Sequence, residues 1–355
     1  MIFKVIVLFI ILVLAFILIS RREGFLSYKR CNKKELKGIT REIFDEQSIN
    51  KSKTDEYDLY IPCGYNGVEK ELADIRTMNK NLKIFGIDGC DKIVAKNNLW
   101  RILCQEYGFD EASTIMPKTF LPDSKEQMEI FGKEYTPNKT FVCKKNVQRK
   151  KGILLSDNYY EIMNSGRNGY KLIQEFKHSL LINNRKFNVR VYLLIVIENG
   201  KKSVYVHKLN KLLYAKNKYN QDNNNFDENI TNSYSVDKNI YETHPCNVAE
   251  LEKMLNKSGI NNKIQEKLIL LSRAIVLPLD NLKNIRDNKK FQLFGVDVLI
   301  DKEHEPYILE INKGPDMIPK DDTDKKLKKK VLMDVFSKVD IIDDSHNDFK
   351  LIYSI

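Results

Sequence analysis

The chain has 355 residues, of which 42% are hydrophobic and 30% are charged. This balance excludes a disordered protein and allows two or three packed subdomains. The formal net charge of +11 indicates an acidic partner, such as nucleotide phosphates, nucleic acid, anionic lipid or an acidic protein tail. The six cysteines contain no CxxC pair, which argues against a zinc module. Several have apolar neighbours, so we expect free thiols in a reducing compartment.

The first 20 residues are apolar except for Lys4 and Ser20, and they are just long enough to span a bilayer. A cleaved signal peptide is the main alternative, but no A-x-A-like cleavage site follows the apolar run. Basic residues follow the segment, and the positive-inside rule then places the remainder of the chain in the cytosol. We therefore expect a single-pass membrane protein whose folded part faces the cytosol.

Two regions are predicted between this segment and the centre of the chain. Residues 21–56 are polar and charged, which predicts a tether with one short helix. Residues 57–122 predict a small α/β subdomain with strands at 57–62 and 82–87 around a helix at 68–78. A second helix is expected over residues 92–107, because its apolar residues recur at helical spacing, and Lys96 falls near its start.

The central region, residues 123–320, opens with a strand at 140–145 that carries Lys144 or Lys145 at its end. The next loop, residues 148–153, has three basic residues and one glycine, which suits a loop over phosphates. A solvated basic turn is the alternative. Further strands are expected at 171–176, 180–182, 187–197 and 203–206. Arg190 lies within one of them, where a buried guanidinium requires a fixed anionic partner.

Residues 291–317 read FQLFGVDVLIDKEHEPYILEINKGPDM and predict two buried strands joined by a charged turn. Alternation places Glu310 and Asn312 on one face, and antiparallel pairing can bring Asp297 beside them. Buried carboxylates are costly unless something compensates them. Two carboxylates and an amide oxygen form an all-oxygen site of the kind that holds Mg²⁺ with nucleotide phosphates. A hairpin with a polar solvent face is the alternative.

The remaining segments complete the predicted order. Residues 216–247 are rich in Asn, Asp and Lys, which predicts a mobile surface excursion. Residues 247–279 are expected to be helical. Residues 321–355 predict a basic helix and a tail, and the five lysines between 325 and 330 indicate either a solvated face or a partner site. These basic runs have no interleaved aromatic residues, which makes a nucleic-acid partner unlikely.

In this order the chain carries a strand lysine, a basic loop, a QEF strand end, a strand arginine, and a hairpin with two carboxylates and an asparagine. The order resembles that of the ATP-grasp carboxylate–amine ligases, and within them the tubulin tyrosine ligase and ligase-like family. Two segments carry most of the likeness. Residues 291–317 are similar to the family's GxDV…LEVN segment, and residues 180–195, LLINNRKFNVRVYLLI, are similar to its PLLI…RKFDIR block.

The resemblance implies an α/β (α+β) ATP-grasp fold and a ligase that uses ATP and Mg²⁺ to join a free amino acid to a protein or peptide acceptor, such as tubulin or another acidic tail. The implied metal ligands are Asp297, Glu310 and Asn312. The implied catalytic residues are Arg190, Lys186 and Lys144. The implied nucleotide-binding residues are Lys96, Lys144, Gln174, Glu175, Phe176, Lys186, Asn188, Thr231 and Asn232.

The chain departs from the family pattern at three positions. Asn188 stands where the family usually has Asp, Glu175 where it often has Lys, and Leu213 where it has an arginine that helps to hold the amino acid. Asn188 and Leu213 leave open a second hypothesis, a membrane-anchored, non-catalytic nucleotide-binding adaptor. A basic peripheral or nucleic-acid-binding protein is a third, which rests on charge alone. ATP turnover distinguishes the ligase from the adaptor.

Overall fold

The computed structural model describes residues 26–31, 35–64, 67–75, 79, 81–147, 152–219, 240–279, 288–344 and 346–355. No helix within these ranges is long and apolar enough to cross a membrane. The predicted membrane-spanning segment, residues 1–20, lies outside them. The anchor and its cytosolic orientation therefore stay predictions.

A large mixed sheet forms the centre of the molecule. Its antiparallel part is built on two long strands of β-branched and aromatic residues, which favour a buried sheet. Its parallel part consists of β1 to β4, and β4 joins it to β12. The strands are β1 (Ser27–Arg30), β2 (Asn50–Lys51), β3 (Leu59–Ile61), β4 (Lys83–Phe85), β9 (Leu181–Ile182), β10 (Arg185–Glu198), β11 (Lys201–Tyr214), β12 (Lys289–Ile300), β13 (Pro306–Asn312) and β14 (Phe349–Ser354).

A second, antiparallel sheet has four strands in the order β5-β8-β6-β7. These strands are β5 (Thr119–Phe120), β6 (Phe141–Lys144), β7 (Ile153–Ser156) and β8 (Leu172–Glu175). Aromatic side chains, among them Phe120, Phe131 and Phe141, pack behind it. Two sheets with helices around them form the mixed α/β architecture that the sequence predicts, and this architecture fits an ATP-grasp fold.

The helices cover both faces of the large sheet. They are α1 (Gly38–Glu46), α2 (Val68–Ala73), α3 (Cys90–Val94), α4 (Lys96–Ile115), α5 (Lys125–Glu134), α6 (Tyr159–Met163), α7 (Val248–Met254), α8 (Ile260–Ile275) and α9 (Asp322–Lys338). Helices α4 and α8 pack on one face, against Val191, Leu193 and Val296. Helices α1 and α9 pack on the other face, against Leu194 and Leu293. Strand alternation thus supplies two apolar cores from the same strands.

The predicted tether, residues 21–56, is wrong from Ser27 onward. This stretch contributes β1, α1 and β2, and Ile39, Ile43 and Phe44 of α1 are buried against α9. The predicted short helix is present as α1, but the polar composition concealed that its one apolar face packs into the fold. The predicted boundary at residue 122 also differs, because β5 pairs with β8 in the small sheet.

The C-terminal prediction is correct for the helix and wrong for the tail, since residues 349–354 form β14 beside β11. Strand β11 is also longer than predicted. Most lysines of the basic run on α9 have partners within the protein: Lys325 and Lys329 pair with Glu42 of α1 near the surface, and the buried Lys328 pairs with Asp324. Lys326 is exposed. Tertiary partners thus neutralise part of the basic run, and the remainder is solvated.

The cysteine prediction is wrong for one pair. Cys31 and Cys63 form a disulfide that joins the segments following β1 and β3, with Cα atoms 5.3 Å apart. Four cysteines are free, as predicted: Cys90, Cys104, Cys143 and Cys246. The pairing was not readable from the sequence because the two residues are 32 positions apart and parallel strands bring them together. The argument for a reducing compartment does not hold for this pair.

Candidate active site

The hairpin β12–β13 brings the three predicted metal ligands together, as expected. Asp297 lies directly opposite Glu310, and Gly295 lies opposite Asn312. The Asn312 amide nitrogen is 3.3 Å from a carboxylate oxygen of each acidic residue. A bulge between Asp297 and Val298 shifts the register of the two strands. The apolar residues of β13 can therefore face the core while its polar end, Glu310 and Asn312, lies opposite Asp297 and Gly295. Bulges beside active sites often re-aim side chains in this way.

Arg190 on β10 has the anionic partner that its buried position predicts. Its Nε is 2.5 Å and its Nη2 is 3.0 Å from the two carboxylate oxygens of Asp297, which lies opposite it in the sheet. Gly295 makes this approach possible, because a Cβ there would lie 2.9 Å from the Arg190 Cδ. The bidentate pair fixes the guanidinium on the face that carries Glu310.

Glu310 lies between two lysines from different parts of the chain. Lys96, the first residue of α4, is 3.1 Å from Glu310 Oε2. Although burial by itself raises the pKa of Glu310, Lys96 and Lys144 hold it below its usual range. Burial raises the pKa of Asp297 despite Arg190, and the nearby Glu310 adds to that rise. The two carboxylates thus face each other within a set of three cations, Arg190, Lys96 and Lys144, which come from three separate elements.

The structure decides which of the two strand lysines points to the site. Lys144 faces Glu310, and burial lowers its pKa to about 8. Its Nζ donates to Gln174 Oε1 at 2.6 Å, and Gln174 Nε2 in turn donates to Thr119. Lys145 instead lies over the ring of Tyr170, 4.9 Å from its centroid. Thr119, which orients the glutamine, was not identified from the sequence.

Lys186 lies between two aromatic rings. Its Nζ is 4.2 Å from the centroid of Phe176 and 4.1 Å from that of Tyr219. The side chain is buried, and burial lowers its pKa to about 7. Cation–π contacts stabilise the charged form of such a lysine. Sequence reasoning missed Tyr219, because nothing local in the chain distinguishes it from other tyrosines.

The predicted hinge lies at the end of β8, but two of its backbone N–H groups already donate hydrogen bonds within the protein. The N–H of Glu175 donates to the Lys118 carbonyl and that of Phe176 to the Thr140 carbonyl. The Glu175 carboxylate lies 2.9 Å from Lys139 and 3.2 Å from Lys177. An adenine ring would therefore have to contact other atoms of this segment.

Asn188 and Leu213, the two departures from the family pattern, are directly opposite each other on β10 and β11. Arg190 and Lys211 are paired two residues further along the same strands, so all four side chains lie on one face of the sheet. Lys211 does not replace an arginine at Leu213, because its Nζ is bound to Asp324 of α9. The face around Leu213 is thus less cationic than the family pattern predicts.

Two predicted parts of the site lie outside the described residues. Thr231 and Asn232 fall in residues 220–239, as does most of the predicted excursion. The basic residues of the predicted phosphate loop, 149–151, also fall outside. Their neighbours close a turn, since the Lys145 N–H donates to the Gly152 carbonyl.

The donor set fits a hard divalent cation. Asp297 and Glu310 supply carboxylate oxygens on one face, and Asn312 supplies an amide that can present its oxygen after a flip. Oxygen ligands from carboxylates and amides suit Mg²⁺, which also keeps several waters and phosphate oxygens in such sites. The raised pKa of Asp297 agrees with this fit, because a bound cation would relieve the repulsion between the two carboxylates.

Comparison with protein families gives a match over most of the chain. Residues 78–348 match the model of the Tubulin-tyrosine ligase family. This range contains every described residue that the site analysis names, from Lys96 to Asp324.

Individual relatives are distant and mostly longer. The chain is 24% identical to "Probable alpha-tubulin polyglutamylase Ttll1" of Tetrahymena thermophila, over 81% of the chain and 72% of the relative. It is 26% identical to "Tubulin polyglutamylase TTLL5" of Mus musculus, over 76% of the chain but only 22% of the relative. It is 22% identical to "Tubulin glycylase 3B" of Drosophila melanogaster, over 52% of the chain and 26% of the relative.

Proposed function

Because the chain belongs to the Tubulin-tyrosine ligase family, we propose that it is an amide-forming ligase that uses ATP and Mg²⁺ to attach an amino acid to a protein. The observation that carries this proposal is the face shared by Asp297, Glu310 and Asn312, with Arg190 and Lys96 in contact with it. A structural hairpin would not need two facing carboxylates, of which Asp297 is buried and Glu310 is half-buried. A nucleotide–metal site does.

The proposed chemistry divides among the residues by position. Asp297, Glu310 and Asn312 would hold Mg²⁺, which when bound neutralises charge on the phosphates. Lys144 and Lys96 would contact phosphate oxygens from the small sheet and from α4. Arg190, held by Asp297, would stabilise the negative charge that develops when a carboxylate is phosphorylated and an amine then attacks the acyl phosphate. Lys186 and Phe176 would lie against the nucleotide base.

The proposed acceptor is inferred from the names of the relatives. Several are named as tubulin polyglutamylases and one as a tubulin glycylase, so we infer a protein acceptor such as tubulin or another acidic tail. The net charge of +11 favours an acidic acceptor. Leu213 supports a donor amino acid that is held with less positive charge than the family's arginine would provide.

The test is ADP release by the full-length protein with Mg²⁺, a panel of amino acids, and tubulin or a synthetic acidic peptide as acceptor. Turnover that requires one amino acid and is lost in Glu310→Gln would establish the ligase and identify its donor. Binding of MgATP without turnover, for every amino acid and acceptor, would favour the non-catalytic adaptor. Failure to bind MgATP at all would contradict both.

A further inference from the structure

A cavity of about 600 Å³ lies outside the candidate active site, where β1, β3 and β4 end. Its lining includes Arg30 at the end of β1, Ile61 at the end of β3 and Phe85 at the end of β4. These strands are parallel, so their carboxyl ends share one edge of the sheet. The strand order reverses here, because β2 pairs with one side of β1 and β3 with the other. Crevices at such reversals commonly bind ligands, and the volume suits a small one.

Arg30 is positioned at this cavity without a carboxylate partner. Its Nη1 donates to the Glu35 carbonyl at 2.5 Å and its Nη2 to the Cys63 carbonyl at 3.3 Å. Its Nε is buried and has no hydrogen-bond partner. A guanidinium has five N–H donors, so donors remain after these two bonds. Two backbone carbonyls therefore fix the group. Glu35 is near enough to interact with it electrostatically, but within the described chain no carboxylate forms an ion pair with it.

The other charged groups of the lining leave an excess of positive charge. Lys37 is exposed and forms no ion pair with any described residue. Glu35 is the acidic residue of the lining, but Lys51 at 2.6 Å and Arg41 at 3.6 Å already neutralise it. A cavity with two unneutralised cations favours an anionic ligand.

The walls of the cavity are largely apolar, formed by Leu36, Ile61, Pro62 and Phe85. The Phe85 ring is held in place, since it stacks on Phe291 with centroids 4.8 Å apart. The disulfide between Cys31 and Cys63 joins the two segments that carry Arg30 and Ile61. Since a planar carboxylate matches a fixed guanidinium, we propose that this cavity binds a carboxylate attached to an apolar body.

Calorimetric titration of the full-length protein with 2-naphthoate tests the proposal, with neutral 2-naphthamide as the matched ligand. We expect the carboxylate to bind about tenfold more tightly than the amide, as a charge-assisted hydrogen bond implies. Arg30→Gln should remove this preference, whereas Lys326→Gln, an exposed lysine on α9, should retain it. Equal or absent binding of the two ligands by the wild type, or a retained preference in Arg30→Gln, would overturn the proposal.

A second variant covers the case in which Arg30→Gln does not fold. Lys37→Glu changes an exposed side chain and should weaken 2-naphthoate binding about threefold without affecting 2-naphthamide. An unchanged affinity for 2-naphthoate would contradict the proposed charge recognition.

The ligand's source is distinguished by competition against bound 2-naphthoate. Displacement by a short peptide with glutamate beside an aromatic residue would assign the carboxylate to a protein chain. Displacement only by free 3-phenylpropionate would assign it to a small molecule. Both outcomes support the shared chemistry, and none of these measurements depends on ligase activity.

Discussion

Two ionic clusters lie side by side on one face of the large sheet, and they differ in how deeply they are buried and in what neutralises them. The catalytic-face cluster consists of Arg190, Asp297, Glu310 and Asn312. The α9 cluster consists of Lys211, Asp324 and Lys328. They meet in the sheet, because Arg190 on β10 is directly opposite Lys211 on β11. Both pair a strand cation with a buried aspartate, so composition alone does not separate them.

The pKa values of the aspartates in the two clusters are shifted in opposite directions. Although burial by itself raises the pKa of Asp324, its hydrogen bonds to Lys211 and Lys328 hold it below the usual range. Burial raises the pKa of Asp297, and Glu310 opposite it adds to the rise in spite of Arg190. One aspartate is fully neutralised from within the protein. The other lies opposite a second carboxylate, Glu310, and this facing pair is the difference on which the proposed metal site rests.

The largest expected effect comes from removing a carboxylate of the catalytic-face cluster. Glu310→Gln should reduce Mg²⁺-dependent turnover about a thousandfold, because the metal loses a charged ligand. The free energy of unfolding of this variant should differ from that of the wild type by less than about 1 kcal/mol. Glutamine retains the shape of the glutamate side chain, and the lost ion pair with Lys96 is partly exposed to solvent. Steady-state kinetics and denaturant unfolding measure the two effects. Near-normal turnover would show that the metal assignment is wrong.

Removal of the carboxylate from the α9 cluster should act on stability instead. Asp324→Ala leaves Lys211 and Lys328 buried without their common partner, which costs about 3–5 kcal/mol of unfolding free energy. Asp322→Ala, an exposed neighbour on the same helix, should cost less than about 1 kcal/mol. Urea unfolding compares them. Equal losses in the two variants would contradict the assignment of Asp324 as the structural anchor.

The pH dependence of the free energy of unfolding should reveal the contribution of Asp324. The pKa of Asp324 is lower in the folded than in the unfolded chain. Its contribution is therefore present above about pH 4, the unfolded value, and is lost as the pH falls through the folded value. Urea unfolding between pH 7 and pH 3 should show a steeper loss in the wild type than in Asp324→Asn. Identical slopes would exclude Asp324 as a source of this dependence.

The smallest expected effect concerns the surface pairs between α1 and α9. Lys329 lies 2.9 Å from Glu42 and 2.6 Å from Glu46, and it retains partial exposure to solvent. Lys329→Gln should cost only about 0.3–1 kcal/mol, and added salt should reduce the difference. Thermal unfolding at low and high salt measures it. A loss as large as that of Asp324→Ala would remove the distinction between buried and exposed pairs.

The sequence determined the elements whose pattern is local. Alternating β-branched runs predicted β10 and β12, and β13 lies where the second strand of residues 291–317 was predicted. The same alternation placed Asp297, Glu310 and Asn312 on one face, because side chains on a strand alternate between two faces. Arg190 was predicted to have an anionic partner for the same reason, and Asp297 is that partner.

Only the tertiary structure decided which distant residues meet. The chain does not reveal that Tyr219 lies against Lys186, that Lys96 reaches Glu310, or that Cys31 pairs with Cys63. These contacts depend on how the two sheets and α4 are arranged. The polar stretch after residue 26 and the C-terminal tail were misread because β1 and β14 gain their stability from strands far away in the chain. Local pattern fixes which face a side chain occupies, whereas packing between distant elements fixes what it faces.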